Sequence, residues 1–340
     1  MLVLGIESSC DETACSIFEC SEKDDGSEPK LLGENVASQE KVHILYGGVV
    51  PELASREHLR NLPILVSSLC NELKINIDDI DAVGVTRGPG LKGCLLMGVC
   101  FAEGFALARN IPLIGINHIE AHLSVTLLDN PELEYPFLAL IVSGGHTEIV
   151  HVTGLGQYKI LAQTSDDAAG EAFDKAANLL GFPYPGGAKL AALADTVQSS
   201  QFKLPKVMRE AEGFSFSGLK TAISLLVADA KEKYGDNLPI AELAYTVQDS
   251  IVDALVYKLK KAIKSYNIDK VALAGGVSAN KFLRNRIGSL PKIKLYCPDF
   301  SHSVDNGAMV GYLAAKRLMR GERSELSGDV KARWSIEELS

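Results

Sequence analysis

The chain has 340 residues, 46% hydrophobic and 23% charged, an ordinary globular balance with room for two cores. Its net charge of −9 argues against a broad nucleic-acid-binding surface, and no apolar run approaches the roughly 20 residues of a membrane span. Seven cysteines without Cys-x-x-Cys spacing suggest reduced thiols; with no basic and apolar leader at the start, a cytoplasmic location is expected.

Leu2 to Phe18 reads as an apolar strand, a short polar turn and a second apolar strand. An acidic stretch follows, Glu19 to Glu28. Ala82 to Val85 is a predicted strand ending in Arg87-Gly88-Pro89-Gly90, with an apolar helix from Gly93 to Arg109 behind it. Pro112 to Ile116 is the next strand. It delivers a helix that opens Asn117-His118-Ile119-Glu120-Ala121-His122. Phe137 to Val150 then repeats the strand–turn–strand pattern of the N-terminus, with Ser143-Gly144-Gly145 in its turn. Such turns expose backbone N–H groups and hydroxyls, as phosphate binding requires. Two of them, one opening each half, suggest a duplicated two-lobed fold with a nucleotide between the lobes.

Asp167 to Leu180 is a predicted helix stopped by the Gly- and Pro-rich run Gly181 to Gly187, and Leu238 to Tyr266 contains a long helix with apolar spacing at Ile251, Leu255 and Leu259. Val271 to Ala274 is a buried-strand run, Gly275-Gly276-Val277 a tight turn, and Ser278 is expected to cap the helix beyond, which carries Asn280 and Arg286. Backbone in such a turn can approach a nucleoside closely, although an ordinary strand-to-helix connection has the same pattern. Strands and helices alternate throughout, which indicates α/β architecture. Basic residues gather between Lys258 and Lys294, either as solvated helix faces or as a patch for a polyanion.

The most specific chemical signal is the pair His118 and His122. Four residues apart on a helix, they sit roughly 40° apart around the axis, one turn displaced, so both imidazoles can reach one metal ion. In a helical metallopeptidase the first His is followed by a glutamate base. Here the nearby carboxylate, Glu120, projects some 160–200° away from both histidines, so a metal that holds a ligand is favoured over one that cuts peptides. The best third ligand is Asp305, at the expected N-cap of the last helix, where an aspartate is also common for capping alone. Two histidines and one carboxylate would leave positions open for a substrate, as catalytic sites do, and are also compatible with Fe(II); the residues alone do not choose between metals. Asp174, on the Asp167–Leu180 helix, could accept a hydrogen bond from a ribose or substrate hydroxyl if that helix borders a cleft, and Gly187 would permit close backbone approach. No side chain stands out as a general base.

With these motifs assembled, the chain resembles, over essentially its whole length, the bacterial tRNA adenosine threonylcarbamoyltransferases, a universal family once described as O-sialoglycoprotein endopeptidases. The matching stretches include Gly5 to Thr13, Gly47 to Arg56, Gly88 to Leu91, His118 to His122, Val142 to Thr147, Ser215 to Ala222, Ala274 to Asn280 and Asp305 to Met309. The resemblance implies an actin-like ATPase fold, that of sugar kinases and heat-shock ATPases. Its N-terminal lobe is expected over 1–125, completed by about 305–340, and its C-terminal lobe over 126–304, with a nucleotide cleft between them. It implies transfer of a threonylcarbamoyl group from threonylcarbamoyl-AMP to the exocyclic amine of adenosine 37, in the anticodon loop of tRNAs reading codons that begin with A. By motif, His118, His122 and Asp305 would hold one divalent metal, Fe(II) being expected and Zn(II) the alternative. Ile141, Val142, Ser143, Gly144, Gly145, Asp174, Gly187 and Asn280 would bind the adenylate. The implied partners are a catalytically inert paralogue of the same fold and a small accessory ATPase, with no membrane. A small-molecule kinase or ATPase of the same fold is the alternative. Ser215 to Ala222 has no role derivable from its chemistry alone.

Overall fold

Buried aliphatic strands organise the chain into two sheets. The computed structural model describes residues 1–206 and 212–339. These divide into two compact units, Met1–Asp129 with Asp299–Leu339, and Asn130–Pro298. The first unit opens with β1 (Leu2–Glu7), β2 (Glu12–Glu19) and β3 (Lys30–Ser38), then a four-residue α1 (Glu40–His43) and the long α2 (Pro51–Leu73). It continues through β4 (Ala82–Gly88), α3 (Lys92–Arg109), β5 (Leu113–Asn117) and α4 (His118–Asp129). The second unit holds β6 (Phe137–Val142), β7 (Thr147–Gly154), β8 (Gln157–Gln163), α5 (Ala169–Leu179) and α6 (Gly187–Ala194). After these come α7 (Ser217–Tyr234), α8 (Ile240–Tyr266), β9 (Lys270–Ala274), α9 (Lys281–Gly288) and β10 (Lys294–Tyr296). The chain then returns to the first unit with α10 (Gly307–Met319).

The two sheets share one topology. The first has strand order β3-β2-β1-β4-β5 and the second, read the same way, β8-β7-β6-β9-β10. In each, the opening three strands pair antiparallel as a meander, and the first strand also pairs parallel with the fourth. The duplication expected from the two hairpins is therefore present strand for strand. The parallel partners arrive by helical crossovers, as parallel pairing requires. In the first unit, Leu4, Ile6, Val83 and Val85 of the sheet pack with Leu62 and Leu69 of α2 and Val99 of α3. Leu140 and Leu273 pack in the second core with Phe173, Leu219, Ile251 and Leu255 of the helices. Among the described residues no helix is long and apolar enough to cross a membrane.

α4 is an unusual helix, because every residue from His118 to Thr126 is buried. Its side chains therefore need partners on all faces. Asn117, at the end of β5, accepts from the amides of Ile119 and Glu120 through Oδ1 and so caps the helix. Ser124 and Thr126 donate back to the carbonyls of Glu120 and His122. The Glu120 carboxylate, fully buried, takes a bidentate pair from Arg317 of α10, with Nη2 2.6 Å from Oε1 and Nε 3.1 Å from Oε2. Arg317 also meets Glu322. Breaking a buried pair from one side leaves an uncompensated charge. The substitution Arg317→Met should accordingly destabilise the chain by about 3–5 kcal/mol in urea unfolding. Adding Glu120→Leu should restore most of that loss, and an Arg317→Met chain as stable as wild type would refute this account of α4.

Candidate functional site

In the first unit, β5 feeds directly into α4, so His118 and His122 stand on one helical face. Their rings lie 4.7 Å apart between centroids, nearly perpendicular. Asp305 comes from the loop before α10. Its Oδ1 is 3.0 Å from His122 Nε2 and 3.5 Å from His118 Nε2. Nitrogen, nitrogen and carboxylate oxygen thus converge on one point, and each residue offers an atom within 4.8 Å of the others. Asp305 is not the N-cap expected from the sequence. That role belongs to Asn306, whose Oδ1 accepts from Met309 N at 2.8 Å and whose Nδ2 donates to the carbonyls of His302 and Val304. With capping done by its neighbour, the Asp305 carboxylate is turned to the histidines.

The surroundings suit a metal. His118 Nδ1 lies 3.2 Å from Glu7 Oε2 and 3.2 Å from Ser9 Oγ, and Thr86 donates to the same Glu7 oxygen at 2.6 Å. A carboxylate behind a histidine can fix its tautomer, which would leave Nε2 available to a metal. Burial opposes the charge on Glu7, but the neighbouring His118 and the Thr86 hydroxyl hold its carboxyl below the usual range. His122 Nδ1 is buried without a hydrogen-bond partner among the described residues. Close by, burial first, then the charges of Asp305 and Asp11, push Glu12 up to about 9. Burial likewise pushes the Cys10 thiol up. Glu7, Ser9 and Glu12 were not singled out from the sequence. A glutamate ending an otherwise apolar strand was the available signal.

The first hairpin turn differs from expectation. Ser8 and Ser9 are buried, with Ser8 Oγ donating to Cys94 O and Ser9 O accepting from Leu91 N. Because α3 packs over this turn, it shows no hydroxyls to solvent and instead supports His118.

In the second unit the equivalent turn is open. Gly144 and Gly145 are exposed, and a Cβ on either would meet nothing within 4 Å among the described residues. Ser143 Oγ accepts from the amides of Gly145 and His146. The N-terminus of α5 abuts the turn, Gly170 N donating to Ser143 O at 3.1 Å. Gly275 abuts it too: with φ +81°, its missing side chain would fall 2.7 Å from Val142 O. Ile141 and Val142 are wholly buried strand residues, side chain and backbone alike. Asp174 Oδ1 accepts from Gly186 and Gly187 N at 3.0 and 2.8 Å; burial raises its pKa while these amides lower it. Gly187 is pressed against Phe173 and Asp174, which explains the glycine without a ligand. Asn280, not Ser278, caps α9, accepting from Leu283 N at 2.8 Å, while its Nδ2 donates to Gln248 Oε1 at 2.9 Å. The buried Ser278 hydroxyl has no partner among the described residues. Ser215, Phe216 and Ser217 are gathered by Asp166, which accepts from both hydroxyls and from Phe216 N.

The family model for tRNA N6-adenosine threonylcarbamoyltransferase matches residues 30–312. The chain belongs to this family. It is 45% identical over 342 residues to the tRNA N6-adenosine threonylcarbamoyltransferase of Legionella pneumophila (strain Lens), covering 99% of this chain and 100% of that one. Its identity to the enzyme of the same description from Nitrosomonas eutropha is 44% over 350 residues, both chains being covered completely. Among solved structures it resembles component A of Acidaminococcus fermentans (R)-2-hydroxyglutaryl-CoA dehydratase, with TM-score 0.57 and 15% identity over 94% of this chain and 99% of that one. It also resembles full-length HypF, with TM-score 0.58 and 13% identity over 93% of this chain and 55% of that one. These likenesses establish the fold, which is that of the actin-like ATPases.

A second convergence of acids and histidine lies in the first unit at Asp129, Asp299 and His302. Here both imidazole nitrogens already face carboxylates, Nδ1 at 2.9 Å from Asp129 and Nε2 at 3.5 Å from Glu34. That is an ion pair. Hydrogen bonds to Asp129 and Glu34 push His302 up to about 10. Its folded pKa exceeds the unfolded value of about 6.5, so its stabilisation is complete below that value and is lost as pH rises toward 10. Thermal unfolding of wild type against His302→Gln should show a stability gap below pH 6.5 that closes on the approach to pH 10. A gap independent of pH would exclude the ion pair.

Proposed function

We propose that this chain transfers the threonylcarbamoyl group of threonylcarbamoyl-AMP to N6 of adenosine 37 in tRNAs reading codons that begin with A, releasing AMP. The observation that carries the reading is the meeting of both histidine Nε2 atoms at one Asp305 oxygen, in a chain that matches its named relatives end to end. His118, His122 and Asp305 would hold a single divalent metal. Two imidazoles and one carboxylate suit Fe(II), with Zn(II) the alternative. When bound, the metal supplies Lewis-acid polarisation of the threonylcarbamoyl carbonyl.

The chain's own residues do the positioning. The Ser143-Gly144-Gly145 turn, with the N-terminus of α5 against it, would receive the adenylate phosphate. The Gly275-Gly276 turn, held by the Asn280 cap and abutting Val142, would take the nucleoside. Asp174 keeps one oxygen on the Gly186 and Gly187 amides and would offer the other to a ribose hydroxyl. N6 of the adenosine attacks the carbamoyl carbon, the bond from that carbon to the phosphate oxygen breaks, AMP leaves with the electron pair, and the proton that N6 loses passes to solvent. Catalysis then rests on orientation and charge stabilisation. Peptide cleavage is disfavoured because Glu120, the nearest helical carboxylate, is locked to Arg317. By family resemblance, an inert paralogue and a small ATPase would assist in the cytoplasm.

The direct test is threonylcarbamoyl incorporation into unmodified tRNA with the adenylate-forming enzyme and partners supplied. His122→Ala should lower transfer by more than the roughly 10–100-fold typical of losing an outer partner of a metal ligand, with the fold retained by circular dichroism. Transfer at the wild-type rate would remove the metal from the mechanism.

Metal uptake should also move protons. Burial disfavours charge on His118, yet the Asp305 and Glu7 carboxylates hold it up to about 9. At pH 7 it must therefore shed a proton before Nε2 can ligate. Titration calorimetry in buffers of different ionisation enthalpy should detect release of about one proton at pH 7, falling away above pH 9. Uptake without proton release would mean that His118 is not a ligand.

A further inference from the structure

A buried polar chain in the first unit is not used by the reading above. His43, His58, Gln39 and Thr13 are all buried, and together they join two distant segments. One is the turn after β1, where Ser9 touches His118. The other is the loop after α1, whose Leu45 and Tyr46 are 84% and 62% exposed.

Backbone partners fix the two ends of the chain. Val50 N donates to His43 Nδ1 at 3.3 Å, so His43 carries its hydrogen on Nε2 and donates it to Gln39 Oε1, also at 3.3 Å. That orients the Gln39 amide, whose Nε2 lies 3.4 Å from each of Thr13 Oγ1, Ala54 O and His58 Nδ1. Thr13 Oγ1 is 2.8 Å from His58 Nδ1. His58 Nε2 is 3.0 Å from Cys10 O, which can only accept. His58 is thus a neutral donor at one end and an acceptor at the other, and burial lowers its pKa accordingly. The chain runs in one direction, from the Val50 amide to the Cys10 carbonyl.

Three successive carbonyls of the turn are held by three separate segments of the chain. Ser9 O accepts from Leu91 N at 2.9 Å and Asp11 O from Gln39 N at 3.0 Å. The middle one, Cys10 O, is held by the side chain of His58. We propose that His58 is a positioning residue for the metal centre: it fixes the Cys10 carbonyl, and with it the placement of the Ser9 hydroxyl against His118. Gln39 and His43 extend this control to the loop 44–50. The inference rests on the metal reading of His118, His122 and Asp305.

The test separates the two ends of one imidazole in the full-length chain. His58→Gln can retain a donor near the Nε2 position, whereas His58→Asn retains only a group near Nδ1. Amide exchange over residues 8–13 of the metal-free chain should accelerate about tenfold in His58→Asn, the equivalent of one lost hydrogen bond, and stay near wild type in His58→Gln. Co(II) affinity should fall roughly threefold to tenfold in His58→Asn alone, somewhat less than for loss of a direct partner of a ligand. His43→Leu should accelerate exchange over 44–50 and 8–13 together. Equal behaviour of the Asn and Gln variants, whether both normal or both impaired, would overturn the proposal. Co(II) binding by His118→Ala as tight as wild type would instead overturn the metal reading, and the exchange contrast would still decide whether His58 holds the turn.

Discussion

A helix buried on all sides cannot carry unanswered charge, and α4 carries two histidines and a glutamate. The first unit is arranged around that constraint. One face of α4 turns Glu120 to Arg317 of α10. The other turns His118 and His122 to Asp305, in the loop that leads into the same α10. A single return of the chain, after the whole of the second unit, therefore supplies both compensations. Asn306 starts α10 by capping it and so leaves Asp305 one residue outside, where its carboxylate reaches the histidines. Behind His118, Glu7 repeats the logic, an acid at the end of a buried strand answered by an imidazole and a threonine.

The duplicated topology shows how one framework yields two different turns. In both units the first two strands form a hairpin whose turn begins at the end of a strand buried from its second residue onward. The loops packed over the turns make the difference. α3 lies against Ser8 and Ser9, so the first turn is closed, its carbonyls are occupied and its serine hydroxyls point into the protein. Over the second turn nothing among the described residues crowds Gly144 and Gly145, and the abutting groups are an α5 terminus and a glycine turn. The first turn is built to hold a side chain still; the second leaves backbone exposed.

Local patterns were legible in the sequence and non-local partners were not. The two hairpins, the long α8 and the His118–His122 spacing follow from periodicity and helical geometry, and each is present. Both cap assignments shifted by one or two residues. Ser278 and Asn280, like Asp305 and Asn306, are equally able to cap, and only the amide three residues onward decides between them. Glu7, Ser9 and Arg317 went unread because their partners are more than 100 residues away in the chain. Ser215 to Ala222 has a nearer partner, still 49 to 51 residues away in the chain. Asp166, remote in sequence, gathers Ser215, Phe216 and Ser217, while Phe214, Phe216 and Leu219 anchor the segment in the core.

Charge placement bears on how an acidic chain could grip an anionic substrate. The basic residues between Lys258 and Lys294 are not one surface. Lys258 is buried, Lys270 donates to Glu134 O, Arg284 to the carbonyls of Ser278 and Pro298, and Arg286 pairs with Asp249. Lys260, Lys261, Lys264, Lys281, Lys292 and Lys294 remain exposed. Each neutralised phosphate contributes to affinity through counterion release, so a handful of lysines on a chain of net charge −9 would give only modest, salt-sensitive binding to a polyanion. Under the proposed function, much of the hold on tRNA would then fall to a partner, leaving this chain to supply the ordered metal centre.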